Sequence, residues 1–279
     1  MKNSSIYWHS AVSNGHANQI GGAIRDAWGR VGWETGYLGY PRTREFAVSG
    51  GRANHMVAGS IYWSNGTGAH NVWLGIRDHW AASGYETGRY GFPTEDTRTS
   101  NCSVWAQDFQ GGTALYKEFG LNHPDPDGEN GERIEYIGGY DSVQDTALLY
   151  ENQPGFLFGP EMAQSAADWN ALGAITITDN FPALLDPGIK VSSPDRLDND
   201  YIGLWTGYDA GPGWDTLEIS ASWAQGKPSA DITAVLNHEL GHALGIGHTC
   251  GADLMAASGS IDKKPMGLAR DLYHHLWGF

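Results

Sequence analysis

The sequence predicts an α+β protein of two units: an N-terminal module of small helix and β-hairpin repeats, and a C-terminal domain in which a mixed, twisted sheet packs with three helices. Three observations support this. The first part of the chain contains an internal repeat, a polar segment follows it, and the charge then changes sharply. Residues 1–123 hold 10 Lys and Arg against 9 Asp and Glu, whereas residues 124–279 hold 7 against 23. We predict a module at 1–120, a linker at 121–132 and a second domain at 133–279.

The repeat has a spacing of 52 to 55 residues. The tetrapeptide SIYW at 5–8 returns at 60–63, and GGAIRDAWGRVGWETGYLGYP at 21–41 returns as WLGIRDHWAASGYETGRYGFP at 73–93. A third start, FQGGTALY at 109–116, goes no further. Such a period indicates stacked supersecondary units, each too small to bury its apolar face alone.

The tryptophans of this region have two interpretations. Ile24 and Trp28 lie four residues apart, which predicts a helical stripe, and we expect Trp28 and its counterpart Trp80 in the core. Trp33 and Trp73 stand at positions that the repeats do not share, so core packing and stacking on a sugar ring both remain open for them.

The repeated residues resemble the LGFP repeat, named for its Leu-Gly-Phe-Pro turn, which reads LGYP at 38–41 and YGFP at 90–93. The resemblance extends over about 4–118. It implies export and attachment to cell-wall polysaccharide, and therefore a secreted, extracellular or wall-associated protein. The chain opens MKNSSIYWHS, which is not of signal-peptide type.

The second unit alternates between strand and helix patterns. Helices are predicted at 160–172, with proline in the first turn, at 229–245, capped by Ser229 or Asp231, and at 264–278. The β-rich runs are ERIEYIGGY, AITITDN, GIKVSS, YIGLWTGYD and TLEISASWA.

The segment HELGHALGIGHTCGADLM, residues 238–255, carries the chemistry. His238 and His242 lie four apart and share a helix face, which suits zinc. Gly245 allows the chain to reverse, so that His248 can reach the metal from another direction. Three protein ligands leave a fourth position for water, as in catalytic zinc sites.

Glu239 follows the first ligand by one residue, about 100° around the helix, so it flanks the metal without binding it. There it can act as general base towards water and then return the proton to a leaving amine. The pattern H-E-x-x-H-x-x-G-x-x-H with a methionine soon after is the metzincin signature, and Met255 supplies that methionine. Resemblance to that family implies that Met255 packs beneath the metal and does not bind it.

The segment therefore resembles a metzincin zinc endopeptidase. The short unit is most similar to the small secreted snapalysins, although His248 in place of aspartate follows the matrixins. By analogy with metzincins, YIGLWTGYD or TLEISASWA is expected to be the edge strand that pairs with an extended peptide.

Each of the other candidate sites has more than one interpretation. An even cysteine count predicts a disulfide between Cys102 and Cys250; two separate thiols, or the Cys102 thiolate on zinc, are the alternatives. The acidic run at 194–201 is either a calcium site or a solvated loop. The segment DPDGENGE has some likeness to a calcium loop, but its composition favours a linker.

We expect zinc as cofactor, with calcium as a second candidate, a protein or peptide substrate, wall polysaccharide as the ligand of the repeats, and a monomer. The acidic second unit disfavours nucleic acid, and the chain lacks an apolar run that could span a membrane. The alternatives to an endopeptidase are a zinc-dependent peptidoglycan peptidase or amidase, and a non-catalytic wall-binding protein.

Overall fold

A computed structural model describes residues 4–99, 104–116, 142–180, 188–207, 214–249, 253–256 and 262–279. The chain divides into two compact units, Met1–Leu121 and Asn122–Phe279. The predicted linker, and the strand predicted at 132–140, lie outside the described residues, so the predicted domain boundaries stay a prediction.

The N-terminal unit consists of antiparallel sheets, two of which lead directly into a helix. The first is a hairpin, β1–β2; the second is a four-stranded sheet, β3–β4–β5–β6; the third contains β7, β8 and β9. Helix α1 follows β2 and helix α2 follows β6. The bounds are β1 (Ser4–Tyr7), β2 (Asn18–Gly21), α1 (Gly22–Arg30), β3 (Phe46–Val48), β4 (Gly51–Met56), β5 (Gly59–Ser64), β6 (Gly68–Trp73), α2 (Leu74–Ala82), β7 (Arg98–Thr99), β8 (Trp105–Phe109) and β9 (Gly112–Tyr116). The predicted repeat of helix and hairpin is confirmed.

Each repeat completes its core with the hairpin of the next. Trp28 on α1 is fully buried in a cluster that includes Met56 and Ile61, from β4 and β5. The second repeat forms the equivalent cluster from α2 and the next hairpin. Its members include Ile76, Trp80, Phe109 and Ala114. The third repeat can therefore stop after β9, because its hairpin has already covered α2.

The tryptophans at unshared positions contact other aromatic rings. Trp33 packs edge-on against Trp28, with 5.4 Å between ring centroids, and the guanidinium of Arg25 lies 4.7 Å above it. Trp73 stacks on Trp105 at 4.6 Å with an interplanar angle of 11°. Both Trp33 and Trp73 are half-buried, so protein contacts already occupy part of each ring.

Replacing Phe109 by alanine is expected to destabilise the second repeat by about 3–5 kcal/mol, because it removes a fully buried ring from the cluster around Trp80. Denaturant unfolding followed by tryptophan fluorescence measures this loss. Ile6→Ala is the control, because Ile6 is 74% exposed, and should change stability by less than about 0.5 kcal/mol. Equal effects of the two substitutions would contradict the closing role of the third hairpin.

The C-terminal unit contains a five-stranded mixed sheet in the order β11–β10–β12–β14–β13. The pairs β10–β11, β10–β12 and β12–β14 are parallel, whereas β13 runs antiparallel to β14 at the edge of the described sheet. Helix α3 packs against α5, and α5 contacts β13 and β14. The bounds are β10 (Ala147–Asn152), α3 (Gly159–Asn170), β11 (Thr176–Thr178), β12 (Ile189–Ser192), β13 (Gly203–Thr206), β14 (Asp215–Ile219), α4 (Ala221–Ala224), α5 (Ser229–Ala243) and α6 (Gly267–Trp277).

The described elements correct the predicted strands in two places. Strand β10 has no predicted counterpart, although it lies next to the centre of the sheet. The run TLEISASWA is only half strand, because β14 ends at Ile219 and α4 begins at Ala221. The Ser220 hydroxyl accepts the N–H of Trp223 at 3.4 Å. Ser220 follows the β-branched Ile219, but it caps α4 and does not continue the strand.

The predicted side-chain cap of α5 is wrong. Pro228 occupies the cap position, and no side chain caps the helix. Ser229 instead donates its hydroxyl to Glu161 at 2.7 Å, and Asp231 pairs with Lys263. Both side chains make tertiary contacts and therefore do not cap the helix. No helix in the described part of the chain is long and apolar enough to cross a membrane.

Candidate metal centre

Three histidines converge at the C-terminal end of α5. His238, His242 and His248 each offer one ring nitrogen, and these three atoms lie within 4.8 Å of one another. The Nε2 atoms of His238 and His242 are 3.1 Å apart. Among the described residues, no other group of three His, Cys, Asp or Glu side chains is arranged to hold a metal ion. The spacing of these residues thus produces the predicted cluster.

The chain reverses where the sequence predicts it. Gly245 has φ +83°, in the left-handed region, directly after the helix. Its N–H donates to His242 O at 2.9 Å, and the N–H of Ile246 donates to Gly241 O at 2.9 Å. These two bonds form a Schellman motif, which ends the helix and redirects the chain. His248 consequently returns to the same side as the two helical histidines.

Backbone carbonyls fix the orientation of two of the rings. His238 Nδ1 lies 2.8 Å from Leu254 O, and His242 Nδ1 lies 2.8 Å from Ile246 O. A carbonyl oxygen only accepts, so each Nδ1 carries the proton and each Nε2 presents a lone pair. Two lone pairs 3.1 Å apart repel each other, and a cation between them relieves that repulsion.

The donor set fits a divalent metal of the zinc type. Nitrogen ligands at about 2.0–2.1 Å in a tetrahedron stand about 3.3 Å apart, close to the Nε2 separation seen here. Burial, together with the neighbouring imidazoles, lowers the pKa of His238 and lowers that of His242 to about 3. Both rings are therefore neutral at neutral pH, the state in which imidazole ligates metal.

Met255 is fully buried and packs on α5 at Gly241. A Cβ added at Gly241 would overlap the Met255 sulfur and would also approach Trp169. Gly241 lies on α5 between the two helical ligands, so its missing side chain lets the methionine pack directly against the helix backbone. This role of Gly241 is not predicted from the sequence.

Glu239 lies beside the cluster on the side of β13. Its Oε2 accepts the backbone N–H of Trp205 at 2.8 Å, and a Cβ at Gly203 would meet its other carboxylate oxygen. Burial raises the pKa of Glu239 to about 8, although the Trp205 N–H opposes that shift. A carboxyl group that exchanges its proton near neutral pH suits general acid–base chemistry.

Gly203 and Trp205 contact Glu239, and neither is predicted from the sequence. The signal for Gly203 was a glycine inside a strand pattern, which often marks close approach of another group. For Trp205, the indole N–H donates to Ser142 at 3.1 Å and the ring lies near His242, with 6.5 Å between centroids. A lone tryptophan in a β-rich run gives no sign of either contact.

A cleft of about 640 Å³ opens on the cluster. Strand β13 forms one wall, and the first half of α5 with Leu254 and Ala256 forms another. The sequence left two candidates for an edge strand beside the site. In the described sheet YIGLWTGYD supplies that edge, as β13, whereas TLEISASWA supplies the interior strand β14.

The other predicted sites either lie outside the described residues or form no metal-holding group among them. Cys102, Cys250 and DPDGENGE lie outside the described residues, so the disulfide and its alternatives stay predictions. In the acidic run, Asp198–Asp200 forms a 3-10 turn, and its carboxylates do not belong to a metal-holding group within the described chain. The sequence interpretation of a solvated loop is compatible with this arrangement.

A comparison with protein families matches the LGFP repeat at residues 2–36 and 38–88. The N-terminal unit contains LGFP repeats. The match covers most of the two full repeats, well under half of the chain. The hairpin β8–β9 repeats the same architecture beyond it. A comparison with curated proteins found no match.

Substituting Gly241 by alanine is expected to destabilise the protein by about 1–3 kcal/mol, because the new methyl overlaps Met255. The higher helix propensity of alanine returns at most about 1 kcal/mol. Thermal unfolding of the metal-free protein measures the net effect. Gly159→Ala is a matched control, since Gly159 begins α3 with open space around it, and should be neutral or stabilising. If Gly241→Ala behaved like Gly159→Ala, the methionine would not require this glycine.

Proposed function

We propose that the C-terminal unit is a zinc-dependent endopeptidase of the metzincin type, secreted and held at the cell wall by the LGFP repeats. The observation that carries the proposal is the convergence of three imidazoles beside the buried carboxylate of Glu239. A structural zinc site would be closed by a fourth protein ligand, whereas three ligands with an adjacent acid–base group are typical of hydrolytic sites.

Zinc, when bound, would supply Lewis acidity that lowers the pKa of water and polarises a peptide carbonyl. His238, His242 and His248 would hold it. Glu239 would take a proton from the attacking water and pass it to the leaving amine. Its burial supports both steps, since removal from bulk solvent brings its pKa close to neutrality.

Strand β13 would align the substrate. Trp205 donates its N–H to Glu239, so this edge of the strand points into the cleft and away from β14. An extended peptide added to that edge would gain main-chain hydrogen bonds and lie next to the metal ligands. Apolar side chains along the cleft, including Leu204, Val235 and Leu254, would receive side chains of the substrate.

A second candidate is a peptidoglycan peptidase or amidase with the same metal site. The LGFP repeats favour it, because a protein held at the wall meets cross-linking peptides there. A third, a non-catalytic wall-binding protein, is compatible with the repeats alone; the buried Glu239 beside the histidine cluster argues for the enzyme.

Glu239→Gln is expected to lower the rate of casein hydrolysis about 10²–10⁴-fold while zinc remains bound at one equivalent, because glutamine keeps the shape but cannot accept the proton. Hydrolysis is measured with zinc-loaded protein, and metal content by elemental analysis. Glu151→Gln, on the exposed part of β10, serves as the control and should keep wild-type activity. Full activity of zinc-loaded Glu239→Gln would show that another group acts as the base.

The three functions differ in products and in sensitivity to chelation. We expect casein cleavage that EDTA abolishes, together with binding to purified cell walls that EDTA leaves intact, because the repeats hold no metal group among their described residues. Release of wall peptides without casein cleavage would favour the peptidoglycan enzyme. Wall binding without hydrolysis of either substrate by the zinc-loaded protein would favour the binding protein.

A further inference from the structure

A carboxylate outside the ligand set lies at the base of the metal centre. Asp253 precedes Met255 by two residues and is fully buried. Its Oδ1 accepts the N–H of Met255 at 3.1 Å and the hydroxyl of Thr249 at 3.1 Å, and its Oδ2 accepts the N–H of Ala269 at 3.2 Å. Burial raises the pKa of Asp253, and these three hydrogen bonds oppose that shift.

These bonds connect Asp253 to the chain segments next to His238 and His248. The bond to Met255 closes an Asx turn around Leu254, and the carbonyl of Leu254 is the group that accepts the Nδ1 proton of His238. Thr249 directly follows His248, and it is tied to the same turn a second time through its N–H, which donates to Met255 O at 2.8 Å.

The third bond fixes the turn to the C-terminal helix. Helix α6 begins at Gly267 with Met266 at its cap position, and no side chain of its own caps it. Ala269 lies in the first turn, where backbone N–H groups lack intrahelical acceptors. The Asp253 carboxylate accepts one of them from a distant segment and lies at the positive end of the helix.

We infer that Asp253 is a positioning residue of the metal centre. It sets the ring orientation of His238 through Leu254 and the approach of His248 through Thr249. The inference rests on the proposed function only in that the three imidazoles bind a divalent cation. Outer partners of this kind orient metal ligands, and losing one typically costs 10–100-fold in metal affinity.

The test measures zinc affinity of the full chain by competition with a chromophoric chelator, and the visible spectrum with Co²⁺ in place of zinc. Asp253→Asn places an amide N–H₂ against one of the donors now bound, so we expect zinc affinity to fall about 10–100-fold and the cobalt spectrum to change. Thr249→Val removes a single donor and should weaken binding in the same direction by less. Asp168→Asn is the matched control, because Asp168 is a buried carboxylate that bonds Asn237 on α5 and Lys264 but no part of the turn.

Thermal unfolding of the metal-free variants separates positioning from stability. The inference holds if Asp253→Asn loses affinity while Asp168→Asn, at a comparable loss of stability, stays within about threefold of the wild type. Wild-type affinity and spectrum in folded Asp253→Asn, or an equal loss in Asp168→Asn, would overturn it. Should Asp253→Asn fail to fold, unchanged affinity in Thr249→Val overturns it instead. A wild-type chain that binds no zinc refutes the proposed function itself, before any variant is compared.

Discussion

Two hydrogen bonds from imidazole to backbone carbonyl determine whether the histidine cluster can bind a metal ion. They place the proton of His238 and of His242 on Nδ1, so both Nε2 lone pairs face the same point in space. Without them the rings could rotate or take the other tautomer, and the pair could satisfy itself through an N–H···N bond. The carbonyls belong to Ile246 and Leu254, so the cluster depends on the chain that follows α5 as much as on α5 itself.

In the N-terminal unit, each repeat contributes a hairpin to the core of the repeat before it. A helix of nine residues and a hairpin bury too little surface to be stable alone. Each helix therefore packs on its own sheet and on the next hairpin, and Met56 and Phe109 occupy the same position in successive clusters. Two full repeats followed by a hairpin are thus a complete arrangement for α2, which explains where the internal repetition in the sequence ends.

The sequence predicts local features of the site well, because they depend on local geometry. The helical spacing of His238 and His242 and the reversal at Gly245 both follow from residues within one segment. Strand β10, the edge position of β13 and the roles of Gly203 and Trp205 depend on pairing between segments far apart in the chain. Ser229 and Asp231 also show that distant contacts are not predicted from local sequence. Both are residue types that often cap helices, but here they bind Glu161 and Lys263.

The contact between Glu239 and β13 links substrate alignment to the proposed base. The Trp205 N–H that donates to the carboxylate is also a main-chain donor on the edge that an added peptide would use. One N–H makes one strong hydrogen bond, so a peptide carbonyl that took it would free the carboxylate oxygen for the attacking water. If the peptide instead bonds to the Trp205 carbonyl, the N–H continues to hold Glu239 in place. Either arrangement requires β13 to approach α5 closely, and Gly203, where a side chain would meet the carboxylate, permits that approach.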